Sequence, residues 1–185
     1  MPVRAVFLVG FMASGKSSVG RRLAERLSWD FADLDDVVET RERLTIAEIF
    51  RERGETGFRA AENLALHALT ESLHRDTVVA LGGGTFAQAV NRELLQRWHS
   101  VFLDVPCVDL WQRSQFEAEK RPLRQDDPAK FARLYEDRRI SYSQAKVTVV
   151  TAGRDLDSLC AEIESSLQVQ CTTDPETTTQ GPSKH

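Results

Sequence analysis

Cysteine is scarce in this chain: there are three in 185 residues (Cys107, Cys160 and Cys171), an odd number without metal-ligand spacing. A disulfide framework and a structural zinc site are thereby excluded, and the thiols are expected to be reduced, as in the cytoplasm. Long apolar runs are lacking as well. No stretch approaches the roughly 18 apolar residues of a membrane span, and no basic segment followed by an apolar one opens the chain, so neither membrane insertion nor secretion is expected. Excess positive charge is also missing. The 24 Lys and Arg against 28 Asp and Glu leave a net charge of −4, which argues against a general nucleic-acid surface, although arginines gathered at one site could still hold phosphates. What remains is a chain with 41% hydrophobic residues, enough for one soluble domain with a real core.

The run Gly10-Phe11-Met12-Ala13-Ser14-Gly15-Lys16-Ser17 fits G-x-x-x-x-G-K-[ST] in the context that the pattern needs. Val3 to Val9 is an apolar, β-branched run that reads as a buried strand, and Ser18 to Leu27 has apolar residues at helical spacing. A loop between them turns successive backbone N–H groups around an anion, and the helix N-terminus adds partial positive charge. Lys16 can then reach the outer phosphates, and the Ser17 hydroxyl can ligate Mg²⁺. This is the signature of a nucleoside triphosphate site.

Strand and helix patterns go on alternating, as in a parallel α/β layer. Strands are expected at 29–34, 77–81, 100–103 and 147–150. Helices are expected at 36–43, at 45–53 with Thr45 and Glu48 as a capping box, at 58–73 after a break at 54–57, and at 91–97, 108–115, 129–141 and 156–167. The charged stretch 117–128 lacks periodicity and reads as a mobile loop. From Gln168 onward Thr, Pro, Gly, Ser and Gln dominate, which predicts a disordered tail.

Phe31-Ala32-Asp33-Leu34-Asp35 places two carboxylates two residues apart at the carboxyl end of a strand, where alternation puts both on one side. Open α/β sheets bind ligands at that edge. One carboxylate suits a hydrated Mg²⁺ and the other an attacking hydroxyl. The same acids, with Asp36, equally suit the first turn of the following helix. Gly82-Gly83-Gly84 after an apolar strand implies close approach to the backbone, either by a substrate or within a tight turn. Arg59, Arg121 and Arg138 acquire a use if the acceptor is anionic.

In order and spacing these residues resemble the shikimate kinases, a family of the P-loop nucleoside monophosphate kinase-like group, from about Val3 to Leu167. The matching series is the phosphate loop with Gly20-Arg21; Phe31-x-Asp33-x-Asp35 with Glu39; Ile46-Ala47-Glu48-Ile49-Phe50 leading to Gly54-Glu55 and Phe58-Arg59; the triple glycine; Arg121-Pro122-Leu123; and Arg138 four residues before Tyr142. The resemblance implies an α/β, three-layer P-loop kinase fold over residues 1–167, with a five-stranded parallel sheet flanked by helices. The acceptor region would lie at about 33–62, a lid at about 112–126, and the tail at 168–185. Two positions depart from the family pattern: Ala13 stands where a further glycine is usual, and Ile140 replaces a common proline.

By the same resemblance, Ala13, Ser14, Gly15, Lys16, Ser17 and Ser18 surround the ATP phosphates, and Arg113 and Arg154 flank the adenine. Ser17 and Asp33 serve Mg²⁺. Asp35 contacts the hydroxyl to be phosphorylated, Arg59 and Arg138 clamp the shikimate carboxylate, Glu62 orients Arg59, and Gly82 and Gly83 line the acceptor. Lys16, Asp35 and a lid Arg121 would carry the catalysis. The partners implied are shikimate and ATP, with no nucleic acid or membrane, for a cytoplasmic monomer. The rivals are a gluconate-type sugar-acid kinase and a nucleotide-binding accessory protein without turnover.

Overall fold

Residues 4–116 and 127–171 are described by the computed structural model of the chain. Its elements run β1 (Ala5–Val9), α1 (Lys16–Leu27), β2 (Asp30–Asp33), α2 (Leu34–Glu42), α3 (Ile46–Ser72), β3 (Thr77–Ala80), α4 (Ala89–Leu95), β4 (His99–Asp104), α5 (Cys107–Phe116), α6 (Pro128–Tyr142), β5 (Val147–Val150) and α7 (Leu156–Cys171). The sheet has five strands in the order β2-β3-β1-β4-β5, and every neighbouring pair is parallel. All five residues of β1 are buried, as a strand at the centre of a sheet covered on both faces must be. Alternation sends Val6 and Leu8 into one apolar cluster with Val19 and Leu23 of α1 and Ile163 of α7. Phe7 and Val9 enter the other, with Leu34 of α2, Leu66 of α3, Leu95 of α4, Leu110 of α5 and Phe131 of α6. The three-layer α/β architecture expected from the sequence is present.

Strand order determines where ligands can go. The chain leaves β1 for β2 and β3 on one side and then crosses to β4 and β5 on the other, so the loop after β1 opens at a topological switch point. Helix ends are made locally. Thr45 and Glu48 form the expected capping box, with Glu48 N donating to Thr45 Oγ1 at 3.2 Å and Thr45 N donating to Glu48 Oε2 at 2.8 Å. Asp127 caps α6, whose first residue is Pro128.

Most element ends fall within two residues of the sequence reading, and three differences have a clear local form. The break expected at 54–57 is confined to Gly54, at φ 67° and ψ −174°, and helical backbone resumes at once. One left-handed residue that glycine adopts without strain is enough to bend the helix. Helix α2 begins at Leu34 rather than Asp36, because β2 ends at Asp33 and that carboxylate caps the helix. Helix α7 continues to Cys171, past the expected tail boundary at 168. The expected mobile loop lies almost entirely in 117–126, outside the described residues, as do 172–185.

Helix α1 lies unusually close to the sheet at Gly20. A Cβ there would lie 2.5 Å from Phe31 Cε2 and 3.2 Å from Leu8 Cδ1. The Phe31 ring is itself held by the Arg21 guanidinium, 4.6 Å from its centroid. Alanine gains about 1 kcal/mol over glycine in a helix interior, but here the ring must move to admit it. Gly20→Ala should therefore lower the melting temperature in the wild-type background and be neutral or stabilising when combined with Phe31→Leu. A double-mutant cycle by thermal denaturation checks this, and equal effects in both backgrounds would contradict it.

Candidate active site

The phosphate loop joins the carboxyl end of β1 to the amino end of α1. Gly15, at φ 85°, caps the helix in the left-handed region, and Ala13 is also left-handed at φ 59°. Glycine is favoured at such an angle, which gives a physical reason for its usual presence at this position in the resembled family. Alanine accepts it at a cost of about 1 kcal/mol. Lys16 is buried in the loop: its Nζ donates to Gly10 O at 3.0 Å, Phe11 O at 2.7 Å and Ser14 Oγ at 3.2 Å. These acceptors hold the ammonium at the centre of the loop. Phe11 anchors the loop to α6, with its ring edge-on to Phe131 and Tyr135 and under the Arg138 guanidinium at 5.6 Å.

From the first turn of α1, Ser17 Oγ donates to Asp33 Oδ2 at 2.6 Å, while Asp33 Oδ1 accepts from Asp35 N at 3.2 Å. Asp33 is thus both the helix cap, as one of its two sequence readings had it, and the partner of the phosphate-loop serine. Strand alternation does not explain Asp35. It sits in the first turn of α2, and the cap geometry rather than the pleat brings both acids to the same opening.

That opening is a cavity of about 690 Å³ whose lining includes Ser17, Asp33, Asp35, Arg59, Glu62, Gly82, Gly83 and Arg138. Glu62, fully buried on α3, accepts from Arg59 Nη1 at 2.8 Å, Thr85 Oγ1 at 2.6 Å and Gln88 Nε2 at 3.0 Å. The glycine turn is shaped around these side chains. A Cβ on Gly82 would lie 2.6 Å from Glu62 Oε1 and 3.0 Å from Asp35 Oδ1, and one on Gly84 would lie 2.6 Å from Arg59 Cζ. A Cβ on Gly83 would press on Met12 N at 3.2 Å. The close approach that the sequence implied is therefore made in part by the protein's own acids and arginine, and the segment is also a turn. Across the cavity Arg138 Nη1 donates to Gly83 O at 3.4 Å, and the Tyr142 hydroxyl donates to the same carbonyl. Burial pushes that hydroxyl up to about 12, so it stays a proton donor at neutral pH.

A second cavity of about 510 Å³ lies on the other side of the phosphate loop, lined by Ala13, Ser14, Gly15, Ser18, Arg113 and Arg154 among others. Arg154 is held by Val150 O at 3.3 Å, Ser158 O at 2.9 Å and the Glu162 carboxylate. Both arginines expected beside a nucleotide base thus lie in one groove with the loop. Arg121 lies outside the described residues. Thr85, Gln88 and Tyr142, which had no assigned role in the sequence, belong to the site. Their only signal was position: just after the glycines for two of them, and one helical turn beyond Arg138 for the third.

No group of three or more His, Cys, Asp or Glu that could hold a metal occurs among the described residues. The Ser17 and Asp33 oxygens are of the hard kind, and of the number, that Mg²⁺ takes from a protein when phosphates and water provide the rest.

A family model described as shikimate kinase matches residues 12–168. The shikimate kinase of Synechococcus sp. (strain CC9605) is 42% identical over 149 residues, covering 80% of this chain and 74% of that enzyme. Among solved structures, shikimate kinase from Acinetobacter baumannii in complex with shikimate superposes with a TM-score of 0.81 at 35% identity, over 94% of this chain and 96% of that one. A gluconokinase from Sinorhizobium meliloti has a TM-score of 0.55 at 18% identity, over 90% of this chain and 97% of that one, a likeness of fold alone. On sequence, fold and site geometry together, this chain belongs to the shikimate kinase family.

Proposed function

We propose that this protein transfers the γ-phosphoryl group of ATP to the 3-hydroxyl of shikimate, giving shikimate 3-phosphate and ADP on the route to aromatic amino acids. The observation that carries the reading is the convergence of Asp35, Arg59 and Arg138 on one cavity that reaches Ser17 of the phosphate loop and its partner Asp33. An acceptor with a carboxylate at one end and a hydroxyl at the other suits that arrangement. The guanidinium forks of Arg59 and Arg138 match a planar carboxylate, leaving the hydroxyl end toward Asp35.

Phosphoryl transfer then needs positioning and charge neutralisation more than covalent help. Backbone N–H groups of residues 13–18 hold the phosphates, and Lys16 exchanges its loop carbonyls for the β- and γ-phosphate oxygens. Asp35 accepts a hydrogen bond, and in transfer a proton, from the attacking hydroxyl. Ser17 and Asp33 would hold Mg²⁺, which supplies neutralisation of the phosphate charge. Arg121 would add charge from the lid, and Arg113 and Arg154 would flank the base. Residues 1–167 form the kinase domain in this reading, which is that of a cytoplasmic monomer. No described helix is long and apolar enough to cross a membrane.

The gluconate rival lacks a reason for Asp33, Asp35, Arg59 and the triple glycine to occur together. With ATP and Mg²⁺, coupled ADP release should be stimulated by shikimate far more than by gluconate, quinate or a nucleoside monophosphate. Equal stimulation by gluconate, or none by shikimate, would overturn the reading. Stimulation by shikimate also removes the accessory-protein rival, which predicts no turnover.

Two sets of variants separate the halves of the site. Lys16→Met keeps the buried stem but loses the charge, so a folded variant should lose about a hundredfold or more in kcat; wild-type turnover would place the chemistry elsewhere. Arg59→Ala or Arg138→Ala removes one partner of a desolvated pair, a loss of about 2 to 5 kcal/mol. Shikimate binding should weaken roughly thirty-fold or more, with ADP affinity unchanged. Asp35→Asn should instead lower kcat about a hundredfold with little change in shikimate affinity. Calorimetric titration beside steady-state rates reads both quantities.

A further inference from the structure

The turn that follows the glycines is braced more heavily than a connection between a strand and a helix requires. Three of its backbone carbonyls are taken by side chains of α4: Asn91 Nδ2 donates to Thr85 O at 3.0 Å, and Arg92 Nη1 donates to Phe86 O at 2.9 Å and Ala87 O at 2.8 Å. Asn91 is fully buried and is itself held by Asn63 of α3, whose Nδ2 donates to Asn91 Oδ1 at 2.7 Å. The brace therefore ties the turn to α3, the helix that carries both Arg59 and Glu62.

Two side chains leave this turn toward the acceptor cavity, and both end on Glu62. Thr85, fully buried, donates to Oε1 at 2.6 Å, and Gln88 donates to Oε2 at 3.0 Å. A carboxylate with one oxygen anchored and the other shared has its plane fixed. The remaining direction on Oε2 is taken by Arg59 Nη1 at 2.8 Å. Removing the side chain at residue 84 leaves the space that the Arg59 guanidinium occupies. Arg59 is thus aimed by a chain of contacts that runs from α4 through Thr85, Gln88 and Glu62.

We propose that Thr85 and Gln88 are positioning residues for acceptor recognition, holding the Glu62 carboxylate so that Arg59 presents its guanidinium to the acceptor carboxylate. This rests on the reading of Arg59 as a shikimate contact. Neither residue touches the acceptor or the phosphates in this role, so the effect is expected on acceptor recognition and not on nucleotide binding. A hydrogen bond to a charged group in a buried site is among the stronger ones, and an isosteric replacement that removes it leaves Glu62 free to turn.

Thr85→Val keeps the shape and removes the donor, and it should raise the KM for shikimate by roughly tenfold while the KM for ATP stays within about twofold. Thr85→Ser restores the hydroxyl and should restore the wild-type KM. Gln88→Leu, at a less buried position, should move the shikimate KM in the same direction and serves if Thr85→Val does not fold. In an Arg59→Ala background neither change should reduce kcat/KM for shikimate further, because the group being aimed is gone. A shikimate KM unchanged by both Thr85→Val and Gln88→Leu would overturn the proposal. So would equal rises in both KM values, or full multiplicative losses in the Arg59→Ala background. If Arg59→Ala alone leaves the shikimate KM at the wild-type value, the error lies in the carboxylate clamp itself.

Discussion

The hydrogen bond from Ser17 to Asp33 is the joint on which the site depends. It ties the first turn of the phosphate-loop helix to the cap of α2 across the carboxyl ends of β1, β3 and β2. At 2.6 Å it fixes the distance between the part of the fold that holds a triphosphate and the part that presents Asp35. Phosphoryl transfer tolerates little error in that distance, because a displacement of about 1 Å can cost a hundredfold in rate. Asp33 acts on both sides at once, since its second oxygen accepts from Asp35 N. The position of Asp35 therefore follows from the same carboxylate that meets the serine.

A second constraint is steric. Three glycines after β3 let Arg59, Glu62, Asp35 and the Met12 backbone crowd onto one stretch of chain. Charge is balanced at close range there: buried Glu62 is neutralised by Arg59 and satisfied by Thr85 and Gln88, which avoids the large penalty of an unpaired interior anion. On the opposite wall Arg138 and Tyr142 share the Gly83 carbonyl, and Phe11 links that wall to the phosphate loop by packing beneath Arg138. The cavity walls and the phosphate loop are thereby parts of one packed unit around the end of β1.

Much of this was legible in the sequence because it rests on local rules. The phosphate loop declared itself by its spacing between a strand and a helix, the Thr45 capping box by its Glu48, and the five strands by their apolar runs. What was not legible depends on tertiary placement. A pleat argument brought Asp33 and Asp35 to one side, whereas the structure does so through a helix cap, and only the strand end at Asp33 distinguishes the two. The motif places Lys16 in the loop but does not reveal its burial among three loop acceptors. Thr85 and Gln88 carry no motif, and their role appears only when α3 lies beside the glycine turn. The left-handed angle of Ala13 likewise belongs to loop geometry and could not be read from composition.

The reading of the cavity between α2, α3 and α6 as the acceptor site is tested most directly by a crystal structure of the protein with shikimate and ADP bound. The shikimate carboxylate should lie between Arg59 and Arg138, its 3-hydroxyl within hydrogen-bond reach of Asp35, and the ADP phosphates within the Gly10–Ser17 loop. Shikimate bound outside this cavity, or bound within it with the carboxylate turned toward Asp35 and away from both arginines, would contradict it.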